Sequence, residues 1–404
     1  MTEMLDQPAL TMPMDRKCPF APPAEYAQLR ETAPAAKVDI ANGEQAWVLT
    51  RHEDVRAVLN DQRFSANRTN PVFPQLVERI QRREDNPFTP SLLGMDAPEH
   101  GPARRAVVGE FTVRRMEALR PRVQEIVDER IDAMLAAGGT VDLVEMFSLP
   151  VPSLVICELL GVPYADHDFF QSCTSKMLSR AVGPAEREES FQSFRKYLDD
   201  LVTAKEAVST DDLLGRQIVK TREDGTFNHE ALVGLAFLLL LAGHETTANM
   251  ISLGTLALLE NPGQLATITN DPGKTLEAVE ELLRYFTITD TVTARLAKED
   301  VEIGGVTIKA GEGIFALGAS ANRDPEAFEN PDELDIERGA RHHVAFGFGA
   351  HQCLGQNLAR MELQVVYDTL FRRIPGLRLA KAVDDLPFKN DASIFGLHEL
   401  PVTW

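Results

Sequence analysis

Cysteine is scarce in this chain. Its four residues, Cys18, Cys157, Cys173 and Cys353, are far apart in 404, and no CxxC pair occurs. A zinc ribbon or a dithiol redox motif has no support, and so few thiols fit a reducing cytosol. Long apolar runs are missing too. The longest, ALVGLAFLLLLAG at 231–243, has thirteen residues, too short to span a bilayer and suited to a buried core helix. The first twenty residues carry Glu3, Asp6 and Asp15 and no continuous apolar stretch, unlike a secretory leader. Positive charge is outnumbered, with 41 Lys and Arg against 61 Asp and Glu. The net charge of −20 argues against nucleic-acid binding and for solubility. No repeat, low-complexity tract or long linker stands out, and the length allows one large domain or two.

One segment runs against the acidic balance. Residues 100–122 hold Arg104, Arg105, Arg114, Arg115, Arg120 and Arg122 against Glu110 and Glu117. Such a patch is either a solvated helix face or a docking surface for an acidic partner.

The periodicity is mainly helical. VDIANGEQAWVLT (38–50) reads as two strands around an Asn42-Gly43 turn, and a short helix is predicted from His52 to Asn60. Residues 65–94, with Pro71, Pro74, Pro87 and Pro90, read as a long loop, a feature more often functional than accidental. From 99 to 260 the apolar spacing is mostly i, i+3, i+4. A helix is expected from His229 to Glu260, capped by Asn228 and stopped by Asn261-Pro262. Another follows at 274–285, then a Gly-turned hairpin and a strand in 301–318, then a helix beginning QNLARMEL. The fold class is mainly α with small β-sheets in the N-terminal and C-terminal parts.

FGFGAHQCLG (346–355) sets Cys353 among Gly347, Gly349 and Gly355, just before that last helix. Glycines permit positive φ and the close approach of a bulky group. A cysteine ahead of a helix N-terminus has its thiolate favoured. Taken alone, the loop allows an inert thiol, a nucleophile or a metal ligand. AGHETT (242–247) puts charge and hydroxyls directly after the apolar run. Either Glu245 faces solvent and Thr246 bonds back to the Ala242 carbonyl, or the group has a purpose on a buried face. Glu281-Leu282-Leu283-Arg284 places two opposite charges on one helix face.

The ten-residue loop, with Phe346, Gly349, Cys353 and Gly355 in an FxxGxxxCxG pattern, resembles the haem-binding loop of cytochromes P450. AGHETT resembles that family's acid–alcohol pair, and Glu281 and Arg284 its ExxR pair. FENPDELDIER (328–338) is similar to the meander that adds Arg338. MDAPEHGPAR (95–104), Arg295 and His351 match propionate-binding positions. The resemblance spans essentially the whole chain and is nearest to soluble actinobacterial members.

It implies a single cytochrome P450 domain over 1–404, cytoplasmic and monomeric. Haem b (iron protoporphyrin IX) would lie between the long central helix and the Cys-loop helix. Cys353 would be the axial iron ligand, with His100, Arg104, Ala242, Arg295, Phe346, Gly347, His351 and Gly355 around the cofactor. Thr246 and Glu245 would serve dioxygen activation as a proton relay. Ala242 and Gly243 would leave room for dioxygen and substrate, and His244 would not bind iron. Glu281, Arg284 and Arg338 would hold the thiolate loop. Substrate contacts would come from the 71–93 loop with Leu92 and Leu93, Leu178, Val182, Leu238, Leu239, Thr291, Val292, Ile394 and Phe395. Arg82 and Arg83 could meet a substrate carboxylate, though a solvated loop is the commoner state of such residues. The implied activity is a monooxygenase hydroxylating a hydrophobic polyketide or macrolide, sterol-like molecule or xenobiotic. Electrons would pass from NAD(P)H through a separate ferredoxin reductase and ferredoxin, with no nucleic-acid or membrane partner. The basic 100–122 segment would dock the ferredoxin. A peroxide-driven haem-thiolate enzyme and a haem-binding sensor or carrier are the rival readings.

Overall fold

The computed structural model describes residues 10–40, 43–76, 92–208, 210–290 and 293–404. Asn42, residues 77–91 of the 65–94 loop including Arg82 and Arg83, and Thr291 and Val292 lie outside them.

A strand β1 (Thr11–Met12) and a helix α1 (Ala24–Thr32) precede the expected hairpin. Strands β2 (Ala35–Ile40) and β3 (Gln45–Leu49) pair antiparallel, from Ala35 opposite Leu49 to Asp39 opposite Gln45. Gly43 turns the chain at φ +84°, which a residue without Cβ adopts freely. Helix α2 spans His52–Asn60 as predicted, burying Val55, Val58 and Leu59. After β4 (Phe64–Ser65) come α3 (His100–Val108) and α4 (Val113–Ala137). Thr112 caps α4, its hydroxyl accepting from the Arg115 N–H. Strand β5 (Val141–Asp142) leads to α5 (Pro150–Leu160), α6 (His167–Leu178), α7 (Pro184–Ala207) and α8 (Leu213–Glu223).

The helix expected over His229–Glu260 is interrupted. It forms α9 (His229–Gly243) and α10 (Glu245–Glu260), broken at His244. Asn228 caps α9 as predicted, accepting from the Ala231 N–H at 3.0 Å. A Cβ at Gly243 would come within 2.9 Å of Ile156 Cδ1. Gly243 thus lets α9 press against α5, and the room it gives is for Ile156. Together α9 and α10 are long and apolar enough to cross a membrane, but more than half of that stretch is buried inside the protein. They form a core helix pair.

Next are α11 (Pro262–Asn270), α12 (Thr275–Phe286) and β6 (Ala294–Ala297). The hairpin β7 (Val301–Ile303) and β8 (Val306–Ile308) precedes β9 (Gly313–Ala316) and the short α13 (Gly318–Ala321). Helix α14 (Gln356–Arg373) is followed by β10 (Arg378–Leu379) and β11 (Pro401–Thr403). One sheet runs β1-β2-β3-β9-β6-β4 and a second β10-β11-β5. The main core forms where α4, α5, α10, α12 and α14 pack, around Ile131, Leu160, Leu256, Leu282 and Val366. The 346–355 loop enters this core from the start of α14.

Candidate active site

The Cys353 loop is held open by its own backbone. The Cys353 N–H donates to the Phe346 carbonyl at 2.8 Å and the Gly347 N–H to the Val344 carbonyl at 2.9 Å. Gly347 and Gly349 take φ +69° and +71°. At Gly349 a Cβ would strike the backbone of Leu59 and Asn60 at the end of α2, so only glycine lets the loop sit there. Gly355 is different: its φ is −84°, and a Cβ on it meets nothing within 4 Å. Its use is space beside Cys353 rather than an unusual backbone. Cys353 is exposed, yet burial within the protein mass pushes its thiol pKa up. Its open surface therefore belongs to an interior pit. Opposing the burial are the Gly355 and Gln356 amides and the charges of Arg104 and Arg360, all of which favour thiolate.

Four cationic or donor side chains gather near this loop. His100 and His351 lie ring to ring at 4.1 Å. Arg104, one turn along α3 from His100, donates to the Gln352 carbonyl at 2.6 Å. Arg295 on β6 is 6 % exposed and donates to the Ala294 carbonyl at 2.8 Å. Among the described residues none of the four is paired with a carboxylate. Asp96, whose charge favours the protonated forms of His100, His351 and Arg295, is engaged by Ser65 and the Ala66 N–H. Burial, then the neighbouring Arg68, lowers Arg295 to about 10. Burial, then Arg295 and His100, lowers His351 to about 4. His100 Nε2 is buried with no hydrogen-bond partner. A buried polar atom left unpaired is costly, and the two guanidiniums, Arg104 and Arg295, favour an anion between them. Two carboxylates on a flat ring above Cys353 satisfy both needs, so these residues fit a haem with its propionates on this side.

Across the site, Leu238, Ala242 and Thr246 recur every four residues along α9 and into α10, partly or fully exposed within the core helix. They present one open face. The Thr246 hydroxyl donates to the Ala242 carbonyl at 2.8 Å, so its back-bond is real. Glu245 does not face solvent. It is buried and ion-paired to Lys389 Nζ at 2.6 Å, and both contact Asn249. Burial opposes its ionisation, but Lys389 and then His244 and Asn249 hold the carboxyl below its usual range. The Lys389 N–H donates to the Gly396 carbonyl, and a Cβ on Gly396 would meet Asn249 Oδ1 at 2.0 Å. The 388–397 hairpin is thus pressed onto α10 at this ion pair. His244 turns away toward α6, bonding the Leu240 carbonyl and Thr174.

The ExxR pair is fully buried. Arg284 meets Glu281 through two bonds of 2.7 Å, with both side chains 0 % exposed. It also donates to the carbonyls of Asn322, Pro331 and Glu333. Arg338 donates to Glu281 at 3.2 Å and to the carbonyls of Glu329, Asn330 and Glu333. The Asp335 N–H adds a bond to Glu281 at 2.9 Å. Every strong donor and acceptor is used, which such a buried pair requires. The sequence reading passed over Glu280, the residue before. It is 4 % exposed and bonds His343 on one side and Arg360 on the other.

The substrate-side expectations divide. The Leu92–Gly94 turn packs against α9, with Leu93 exposed. Leu178 ends α6, its carbonyl accepting from the Ser393 N–H, and Val182 lies in the turn before α7. Leu239 and Ile394 are buried in the main core, with Leu239 alongside the open face of Leu238. Phe395 stacks on Phe388 and lies under the Arg16 guanidinium. The basic 100–122 segment is mostly neutralised: Arg115 pairs with Glu110, Arg120 with Glu117, and Arg122 with Glu125 and Glu158. Arg104 turns inward, leaving Arg105 and Arg114 exposed beside Val108 and Val113.

A helical protein with a cysteine pit, an anion-hungry rim and an acid–alcohol helix is of the haem-thiolate class. Residues 274–401 match the cytochrome P450 family. Pentalenic acid synthase of Streptomyces avermitilis is 50% identical, over 98% of this chain and 97% of that protein. Vitamin D3 dihydroxylase of Streptomyces griseolus is 47% identical over 99% and 97%. The crystal structure of cytochrome P450 MoxA from Nonomuraea recticatena superposes with a TM-score of 0.90 at 60% identity, covering 98% of both chains. The mycinamicin VIII C21 methyl hydroxylase MycCI from Micromonospora griseorubida, bound to mycinamicin VIII, gives 0.92 at 42% identity, over 98% and 100%. The chain belongs to the cytochrome P450 family, and it is a haem monooxygenase with the P450 fold.

Proposed function

We propose that this protein hydroxylates a hydrophobic small molecule of the polyketide or macrolide, sterol-like or xenobiotic type, with haem b held by Cys353. The observation that carries the reading is the pair Arg104 and Arg295, without a carboxylate partner among the described residues, with the orphaned His100 Nε2 beside the cysteine pit. In this reading His100, Arg104, Arg295 and His351 bind the propionates. Phe346, Gly347 and Gly355 pack or leave space at the proximal side, and Ala242 leaves space at the distal side. Bound there, haem supplies dioxygen activation and the insertion of one oxygen atom into a C–H bond. The 404 residues act as one catalytic domain in the cytoplasm.

The chain's own groups manage protons and water. Thr246 offers its hydroxyl oxygen on the open face while its O–H donates to the Ala242 carbonyl. Glu245 is the acid next to it, held as carboxylate by Lys389, so a proton reaching this pair passes through that ion pair. Leu238, Leu178, Val182 and the turn at Leu92 and Leu93 supply the apolar side that excludes water and takes the substrate, with Leu239 and Ile394 behind. Phe395 is assigned to the wall behind it, because Arg16 and Phe388 cover its ring. With Thr246→Ala, oxygen and NAD(P)H consumption continue while product per NAD(P)H falls at least about tenfold. Unchanged coupling, measured as product formed against oxygen consumed, refutes the relay role.

Electrons come singly from a ferredoxin reduced by NAD(P)H and a ferredoxin reductase. Its docking surface is smaller than the sequence implies: Arg105 and Arg114 flanking the exposed Val108 and Val113. Reversing both charges, Arg105→Glu with Arg114→Glu, slows reduction by an acidic ferredoxin about tenfold at low salt. Reduction by dithionite stays unchanged. Stopped-flow traces showing equal loss with both reductants would remove this surface from the reading.

A further inference from the structure

Glu280 is absent from every role assigned above, yet it is among the most tightly held acids in the protein. Its Oε1 accepts from Arg360 Nε, and its Oε2 accepts from Arg360 Nη2 and His343 Nε2, both at 3.1 Å. His343 Nδ1 accepts the Ala345 N–H at 3.1 Å, which leaves Nε2 to donate to Glu280. Burial opposes ionisation of Glu280, but His343 and Arg360 draw its pKa down to about 2. The cluster sets the Glu280 carboxylate against the Arg360 guanidinium, with His343 donating to the same carboxylate. Arg360 is fixed at a third point by Gln356 Oε1 at 2.8 Å. Its guanidinium lies 4.6 Å from the centre of the Phe346 ring. Phe346 in turn holds the Cys353 N–H through its carbonyl. These contacts link Cys353 to Phe346, Phe346 to Arg360 and Arg360 to Glu280, a chain joining the thiolate loop, α14 and α12.

We propose that Arg360 and Glu280 set the reduction potential of the haem as an opposed pair, Arg360 raising it and Glu280 holding it down. The proposal rests on Cys353 as the iron ligand. Ferric haem takes one electron to become ferrous, adding one negative charge at the iron and its sulfur. A cation behind Phe346 favours that charge and an anion opposes it, and the protein interior screens both weakly. The Arg360 charge acts on the Cys353 thiolate in this sense. Because the two charges are hydrogen-bonded to each other, their fields partly cancel, and either one alone has the larger effect.

Dithionite titration of the haem-loaded protein, read from the ferric and ferrous absorption bands, tests this directly. Glu280→Gln shifts the reduction equilibrium about tenfold toward ferrous haem, or about +59 mV for one electron. Arg360→Met shifts it a similar amount the other way. The double variant returns close to wild type, and Arg360→Lys, which keeps the charge, stays near it. Shifts of the same sign in both single variants, or no shift in either, overturn the proposal. So does a carbon monoxide band displaced from near ~450 nm in Glu280→Gln and Arg360→Met alike, since the pair would then only hold the loop's shape. A wild type lacking that band instead removes the thiolate assignment itself.

Discussion

Cys353→Ala loses the absorption near ~450 nm that the reduced, carbon monoxide-bound wild type shows, and with it all oxygenase activity. The substitution is well placed to isolate the sulfur. The loop's own bonds, Cys353 N–H to Phe346 and Gly347 N–H to Val344, are backbone bonds that alanine keeps. The thiol faces the pit, so removing it leaves no packed neighbour behind. Far-ultraviolet circular dichroism and the unfolding midpoint of the cofactor-free protein therefore stay near wild type. A Cys353→Ala protein that retains the ~450 nm band would sink the assignment, and one that fails to fold would contradict the loop geometry.

Arg284→Ala carries the largest stability cost. Its side chain and that of Glu281 are wholly enclosed, and the guanidinium serves Glu281 and three carbonyls. Without it, Glu281 keeps Arg338 and the Asp335 N–H, but the carbonyls of Asn322 and Pro331 lose their Arg284 bonds. Breaking a buried pair from one side costs about 3–5 kcal/mol, a large part of the stability of an ordinary domain. Urea unfolding should show this loss, and the purified protein should contain little haem. Arg284→Lys recovers only part, because an ammonium cannot reproduce the fork. A loss below about 1 kcal/mol would mean the meander is held by other contacts.

Local order was legible where it depends on neighbours in sequence. The Gly43 turn, the His52–Asn60 helix, the Asn228 cap and the Cys353 loop all lie where spacing and turn chemistry put them. What escaped was set by distant partners. The break at His244 answers to Ile156 on another helix and to Thr174 on a third. Glu245 meets Lys389 across 144 residues, and Arg122 meets Glu158 across 36, so neither pairing leaves a periodic mark. Glu280 stands beside the recognisable Glu281, and its partner Arg360 lies 80 residues away, a pairing that no local spacing marks. Gly355 was grouped with its loop neighbours, and only the backbone angles separate it from them.

The close seat of Gly396 on Asn249 has a bearing on engineering. The hairpin that carries Ile394 and Phe395 also carries Lys389 to Glu245. A mutant library meant to widen substrate range by varying that hairpin therefore reaches oxygen chemistry as well. Any side chain at 396 lifts the strand and loosens the ion pair, so variants selected there for new substrates should be screened for hydrogen peroxide leakage alongside product. Leu178 is tied to the same hairpin, its carbonyl accepting from the Ser393 N–H, so substitutions there call for the same screen.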